Sequence, residues 1–207
     1  MSDFRYHRPN TFPPVVKNLI IVNVLVFIAQ TILDAQYYLT MKIALWPINT
    51  ELFRPYQIIT HMFVHGGWSH ILFNMFGLWM FGRVLENVWG PRRFLIFYMV
   101  CGLGAAAAHL AMQYMQGGYG PAVGASGAIM GIFAAFAYLF PNTELFIMFI
   151  PIPIKAKWAV LGFTAIDLFS GIANTGDNIA HFAHLGGALT GFILVLIWNK
   201  TNRKTLY

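Results

Sequence analysis

Long apolar runs alternate with short polar breaks along this chain, and the length of those runs sets its architecture. About 20 apolar residues span a bilayer as a helix. Six runs approach that length, over about 15–33, 68–88, 94–115, 122–140, 156–169 and 179–198. Pro151 and Pro153 break the pattern ahead of the fifth, and Lys155 and Lys157 mark the membrane surface where it begins. The longest break, about Asp34–Gly67, holds Trp46, Pro47, Phe53, Tyr56 and Phe63. Aromatic content of that kind suits the membrane interface. The pattern predicts an all-α, polytopic membrane protein. It is a single domain over residues 1–207, a six-transmembrane-helix bundle with an interfacial outer loop between its first two helices.

Composition sharpens this picture. Hydrophobic residues make up 58% of the 207 positions and charged residues 10%, against about 25% charged in a soluble domain. Lipid must therefore cover much of the surface. The net charge of +6 follows from topology. With the N-terminus cytoplasmic, Arg5, Arg8, Lys17, Arg83, Arg92, Arg93, Lys155, Lys157, Lys200, Arg203 and Lys204 fall on the inner side. Only Lys42 and Arg54 fall outside, so 11 of the 13 basic residues obey the positive-inside rule. Both termini are then cytoplasmic, and the charge meets anionic headgroups instead of nucleic acid. The first apolar run follows a basic, mostly polar segment and is too long for a cleavable signal peptide. Size and the absence of a targeting segment point to a bacterial plasma membrane. The single Cys101 allows no intrachain disulfide.

Candidate chemistry enters with Gly124-Ala125-Ser126-Gly127 and with Ala183-His184-Leu185-Gly186-Gly187. A serine in a membrane helix is ordinarily a packing residue, but an intramembrane histidine is costly and invites a functional reading. In this topology the second, fourth and sixth helices all run from outside to inside. At 1.5 Å per residue, Ser126 lies about 6 Å below the start of its run and His184 about 7–8 Å below its own. Gly66-Gly67 ends the loop, and Ser69 is placed to cap the second helix. His70 then lies near the top, with Asn74 one turn deeper on the same face. Gly127/Gly131 and Gly187/Gly191 form two G-x-x-x-G pairs that let helices approach closely. Ser126 is therefore the candidate nucleophile and His184 its general base. The Ser126 N–H, the Asn74 amide and the His70 ring are the candidate oxyanion donors. Glu86 lies near the inner end, and Asp167 and Asp177 are assigned to outer helix ends. A Ser/His dyad is thus expected in place of a triad.

These residues resemble the rhomboid intramembrane serine proteases over nearly the whole chain, as a minimal six-helix member. The resemblance rests on Gly124-Ala125-Ser126-Gly127, on His184 followed by Gly187 and Gly191, and on His70-Ile71-Leu72-Phe73-Asn74. It implies Ser126 as nucleophile, His184 as base, and His70 and Asn74 at the oxyanion hole. It also implies cleavage of transmembrane protein substrates towards the outer face, with no cofactor and no metal. Two positions depart from the family. Met130 stands where an aromatic residue often packs on the base histidine, and Tyr56-Gln57 stands near the place of a Trp-Arg pair.

Two other classes compete with this reading. One is a metal-binding membrane protein or transporter using His61, His65, His70 and His184, of which His61 and His65 have i,i+4 spacing. Against it, no H-E-x-x-H occurs, carboxylates are missing from the layer, and Gly66-Gly67 interrupts any shared helix. Otherwise His61 and His65 are loop or interface histidines. The other class is an inactive rhomboid-like binding protein, whose relatives typically lack the serine and histidine that this chain keeps.

Overall fold

The computed structural model describes residues 9–118, 120–146, 152–173 and 180–201. Arg5, Arg8, Pro151, Asp177, Ile179, Arg203 and Lys204, used above for topology and helix ends, lie outside the described residues. The chain is mostly helical: α1 (Pro14–Tyr37), α2 (Leu39–Ile43), α3 (Gln57–Thr60), α4 (Trp68–Gly77), α5 (Arg83–Trp89), α6 (Pro91–Gln116), α7 (Ser126–Leu139), α8 (Ala156–Ala173) and α9 (His181–Thr201). A π-helical turn over Leu78–Gly82 joins α4 to α5, so the helical path runs unbroken from Trp68 to Trp89. Among the described residues four helices are long and apolar enough to cross a membrane: α1, α6, α8 and α9 as far as Lys200. The shorter α7 is also apolar. This is a polytopic helical membrane protein.

Two features depart from the expected helix-only pattern. A two-residue antiparallel ladder pairs β1 (Glu144–Leu145) with β2 (Ile154–Lys155) just before α8. Residues 122–125 are not helical, and α7 starts at Ser126 itself. Ala122 instead exchanges both backbone hydrogen bonds with Leu45, in the loop between α1 and α4, at 2.9 Å each.

Helix ends are closed by residues the sequence places there. Proline occupies the first position of α1 and α6, where no intrahelical N–H is lost. The buried Glu86 of α5 accepts from the Val15 N–H at 2.9 Å and the Val16 N–H at 2.7 Å. A carboxylate thus satisfies two orphan donors and complements the α1 dipole. Gly67, and not Ser69, precedes α4, and no side chain caps that helix.

The bundle centres on α9, which packs most extensively against α7 and α6. Glycine makes this possible. A Cβ on Gly191 would lie 2.6 Å from Gly131 Cα, and one on Gly187 would fall on the Gly127 carbonyl. On the α6 side, a Cβ on Gly186 would lie 2.9 Å from Gly104 O. Backbones in such contact gain dispersion and lose little side-chain entropy, the terms available where lipid removes the hydrophobic drive. Helix α8 is peripheral: 11% of its apolar window is buried, against 39% for α6 and α9.

The loop between α1 and α4 is held by buried polar groups. Gln57, 1% exposed, accepts from the Arg54 N–H at 3.1 Å and the Trp46 N–H at 3.4 Å. Its amide donates to Lys42 O at 3.1 Å and Leu52 O at 3.0 Å. Gln30 of α1 bridges the His65 backbone from both sides, at 3.0 and 3.1 Å.

Candidate active site

Ser126 is the first residue of α7, so its Oγ projects from a helix start and its N–H has no intrahelical acceptor. His184 lies in the first turn of α9. The glycine contacts below them bring the two helices together, and His184 Nε2 sits 2.8 Å from Ser126 Oγ. That is a hydrogen bond of full strength by distance.

The segment before the serine is fixed by the loop between α1 and α4. The Gly124 N–H donates to His61 O at 2.9 Å. Gly124 has φ +120°, a conformation that disfavours any side chain. Space excludes one as well, because a Cβ there would lie 2.8 Å from His70 Nε2. The first glycine of the Gly-Ala-Ser-Gly motif therefore serves both the turn and the approach of the His70 ring.

His70 and Asn74 lie where the sequence predicts, on one face of α4. The Gly66 N–H donates to His70 Nδ1 at 3.2 Å. That leaves Nε2 as the protonated, donating nitrogen of the neutral ring, on the side facing Gly124. The Asn74 amide donates to His70 O at 2.9 Å, and its second N–H remains for a ligand. All four residues line one cavity of about 620 Å³. Its remaining wall is mainly apolar, with Phe73, Ile129, Met130 and Phe133. Met130 is buried and packs with Ala134 and Ala188, a turn below His184.

The expectation about carboxylates requires correction. Asp167 does not stand at a helix end. Its carboxylate lies against the His184 ring, with Oδ1 and Oδ2 at 3.2 and 3.3 Å from Nδ1. It also bonds His181 Nδ1 at 2.8 Å. The misplacement has a simple origin: α8 continues four residues past Phe169, to Ala173. Asp167 is thereby lowered into the layer of His184. Its signal in the sequence is an acid inside an apolar run, which is costly unless partnered. His181 carried the signal of a histidine in an apolar run, like His184, but it was not among the candidate residues.

Among the described residues the remaining histidines are not gathered into a centre. His61 and His65 belong to the connection between α1 and α4, and both are buried, at 4% and 2% exposure. Burial pushes the pKa of His61 down, and takes that of His65 to about 4, with the neighbouring His70 adding to the fall. The His61 ring donates from Nδ1 to Gln57 O at 2.9 Å. Among the described residues no group of three or more His, Cys, Asp or Glu side chains is arranged to hold a metal ion.

Comparison with known proteins places these residues in context. A sequence model described as the Rhomboid domain matches residues 52–200. Over 197 residues the chain is 32% identical to the presenilin-associated rhomboid-like protein, mitochondrial, of Homo sapiens, covering 92% of this chain and 51% of that protein. It is 32% identical over 141 residues to rhomboid protein 1, mitochondrial, of Saccharomyces cerevisiae, covering 66% of this chain and 40% of the relative. With the RHOMBOID-like protein 6, mitochondrial, of Arabidopsis thaliana it shares 35% over 147 residues, 69% of this chain and 43% of the relative. The chain spans about half the length, or less, of these curated relatives.

Proposed function

The chain belongs to the rhomboid family, and from that premise we propose that it is an intramembrane serine endopeptidase. It acts on transmembrane segments of other membrane proteins near the outer face. The observation that carries this reading is the 2.8 Å contact between Ser126 Oγ and His184 Nε2, a nucleophile and base within reach inside a lipid-covered protein. The helical path Trp68–Trp89 and the apolar α7, taken with the four longer helices, support a reading of the single domain as six spans. The sorting of basic residues supports both termini on the cytoplasmic side; the membrane proposed is a bacterial plasma membrane, whereas the relatives named above are mitochondrial proteins.

Ser126 Oγ attacks the scissile carbonyl carbon while its proton passes to His184 Nε2. The negative charge that forms on the carbonyl oxygen meets the Ser126 N–H, the free Asn74 N–H and the His70 Nε2–H. The C–N bond then breaks, and His184 hands its proton to the departing amine. Water adds to the acyl-enzyme, giving its proton to Nε2. Collapse releases the carboxylic acid and returns a hydrogen to Ser126 Oγ. Every proton taken is given back, and the chain's own residues account for each transfer. The apolar wall of Phe73, Ile129, Met130 and Phe133 suits an apolar peptide and keeps bulk water from the acyl-enzyme.

Purified protein should cleave a model transmembrane substrate and form a fluorophosphonate adduct at Ser126. Ser126→Ala and His184→Ala should each abolish both while leaving a folded, inserted protein. Full proteolysis by Ser126→Ala would refute the mechanism.

A further inference from the structure

We infer that Asp167 is a positioning residue for His184, making the site a Ser-His-Asp triad whose third member comes from α8, with His181 steadying the carboxylate. This rests on the serine endopeptidase reading above.

A neutral imidazole carries one proton, on either nitrogen, and only the Nδ1–H form leaves a lone pair on Nε2 for Ser126. An ionised carboxylate accepts and never donates. Asp167 faces His184 Nδ1 with both oxygens, at 3.2 and 3.3 Å, so it selects the Nδ1–H form. Ser126 Oγ, 2.8 Å from Nε2, then donates its hydrogen to the free lone pair. The ring is gripped at both ends, which fixes the two dihedrals that α9 leaves open. When His184 takes the serine proton, the adjoining carboxylate also stabilises the imidazolium, and low local dielectric strengthens that attraction.

The surroundings of Asp167 are built for this contact. Its neighbours Ile166, Leu168 and Phe169 are 62%, 48% and 72% exposed, whereas Asp167 is 9% exposed. It is the inward-facing residue of an otherwise lipid-facing stretch. One turn further on, Gly171 brings α8 onto α9: a Cβ there would lie 3.1 Å from the Phe182 ring and 3.3 Å from His181 Cβ. His181 Nδ1 bonds Asp167 Oδ1 at 2.8 Å. The carboxylate is therefore held by one histidine while it orients the other. An acid costly to bury in a loosely packed helix is offset by these two partners.

The test is steady-state cleavage of a model transmembrane substrate by wild type, Ser126→Ala, Asp167→Asn and Asp167→Glu, with thermal unfolding of each. An asparagine can turn its N–H₂ to Nδ1 and so favour the wrong tautomer. Asp167→Asn should therefore lower kcat at least about tenfold with KM within about twofold. Asp167→Glu should recover part of that loss. An Asp167→Asn kcat within twofold of wild type, beside an inactive Ser126→Ala, would overturn the role of Asp167 alone. A loss carried by KM would do the same. Cleavage surviving in Ser126→Ala would bring down the endopeptidase reading, and this inference with it. Should Asp167→Asn fail to fold, ¹⁵N spectra of the wild-type histidine rings decide: His184 protonated at Nδ1 is expected, and protonation at Nε2 overturns the proposal.

Discussion

Between α7 and α9 four glycines let backbone meet backbone, whereas the loop between α1 and α4 folds around the Gln57 amide and two buried histidines. Both regions position Ser126. The helix seam sets its lateral distance to His184. The loop sets the segment leading into it, through the Leu45–Ala122 pairing and the His61 carbonyl on Gly124. In lipid the helix backbone is already satisfied, so closeness alone can fix the seam. The loop has no helical ladder to satisfy its backbone, so side-chain donors and acceptors supply the order. Steric rules govern one region and hydrogen-bond rules the other, and they should fail under different insults.

The largest effect is expected at Gly187. A methyl group there meets the Gly127 carbonyl, which is backbone and cannot rotate away. Gly187→Ala should lower stability in detergent by about 3 kcal/mol or more and abolish fluorophosphonate labelling. Unchanged unfolding and labelling would mean the helices do not touch at this point.

Acid should strike the loop instead. His65 is 2% exposed and both its ring nitrogens lack a hydrogen-bond partner. Its folded pKa of about 4 lies below the unfolded value of 6.5. The unfolded chain therefore binds the extra proton first, and stability present above about pH 6.5 is lost as pH falls towards 4. The loss approaches about 3 kcal/mol, and His61, depressed in the same direction by burial, adds to it. Thermal unfolding between pH 7.5 and 4.5 measures this. His65→Gln should flatten the dependence, and an equally steep curve in that variant would assign the acid sensitivity elsewhere.

Gln57→Ala comes next. It strips partners from two N–H groups and two carbonyls of the loop, at a cost of about 2 kcal/mol. Faster proteolysis within the loop should report it, with the α7–α9 seam intact. Smallest is the control on the seam. A Cβ at Gly162 of α8 meets nothing within 4 Å, so Gly162→Ala should change stability by less than about 1 kcal/mol, in the favourable direction. A loss comparable to Gly187→Ala would show that glycine in this protein acts through something other than close approach.

Much of the site was legible in the sequence because its signals are local. Ser126 sits in a small-residue motif, His184 is a histidine in an apolar run, and His70 and Asn74 share a helix face at i,i+4. The paired glycines announced which helices meet. Tyr56-Gln57, a departure from the family pattern, proved informative only in three dimensions, where Gln57 turns out to knit the loop together. Met130 lines the cavity with Ser126 and His184, a placement the family resemblance already implied.

The sequence by itself determined the lipid-covered helical architecture, through run length and charge sorting, and the candidate serine, histidines and asparagine. Those features depend on composition and on spacing within one segment. Only the tertiary structure decided that α7 begins at Ser126, that His61 holds Gly124, and that Asp167 reaches His184. Each of these is a contact between segments far apart in the chain. Asp167 shows the reason most directly: four more residues of helix moved an acid from a presumed membrane edge to the side of the base. No residue near it in sequence records that meeting, because its partners belong to another helix.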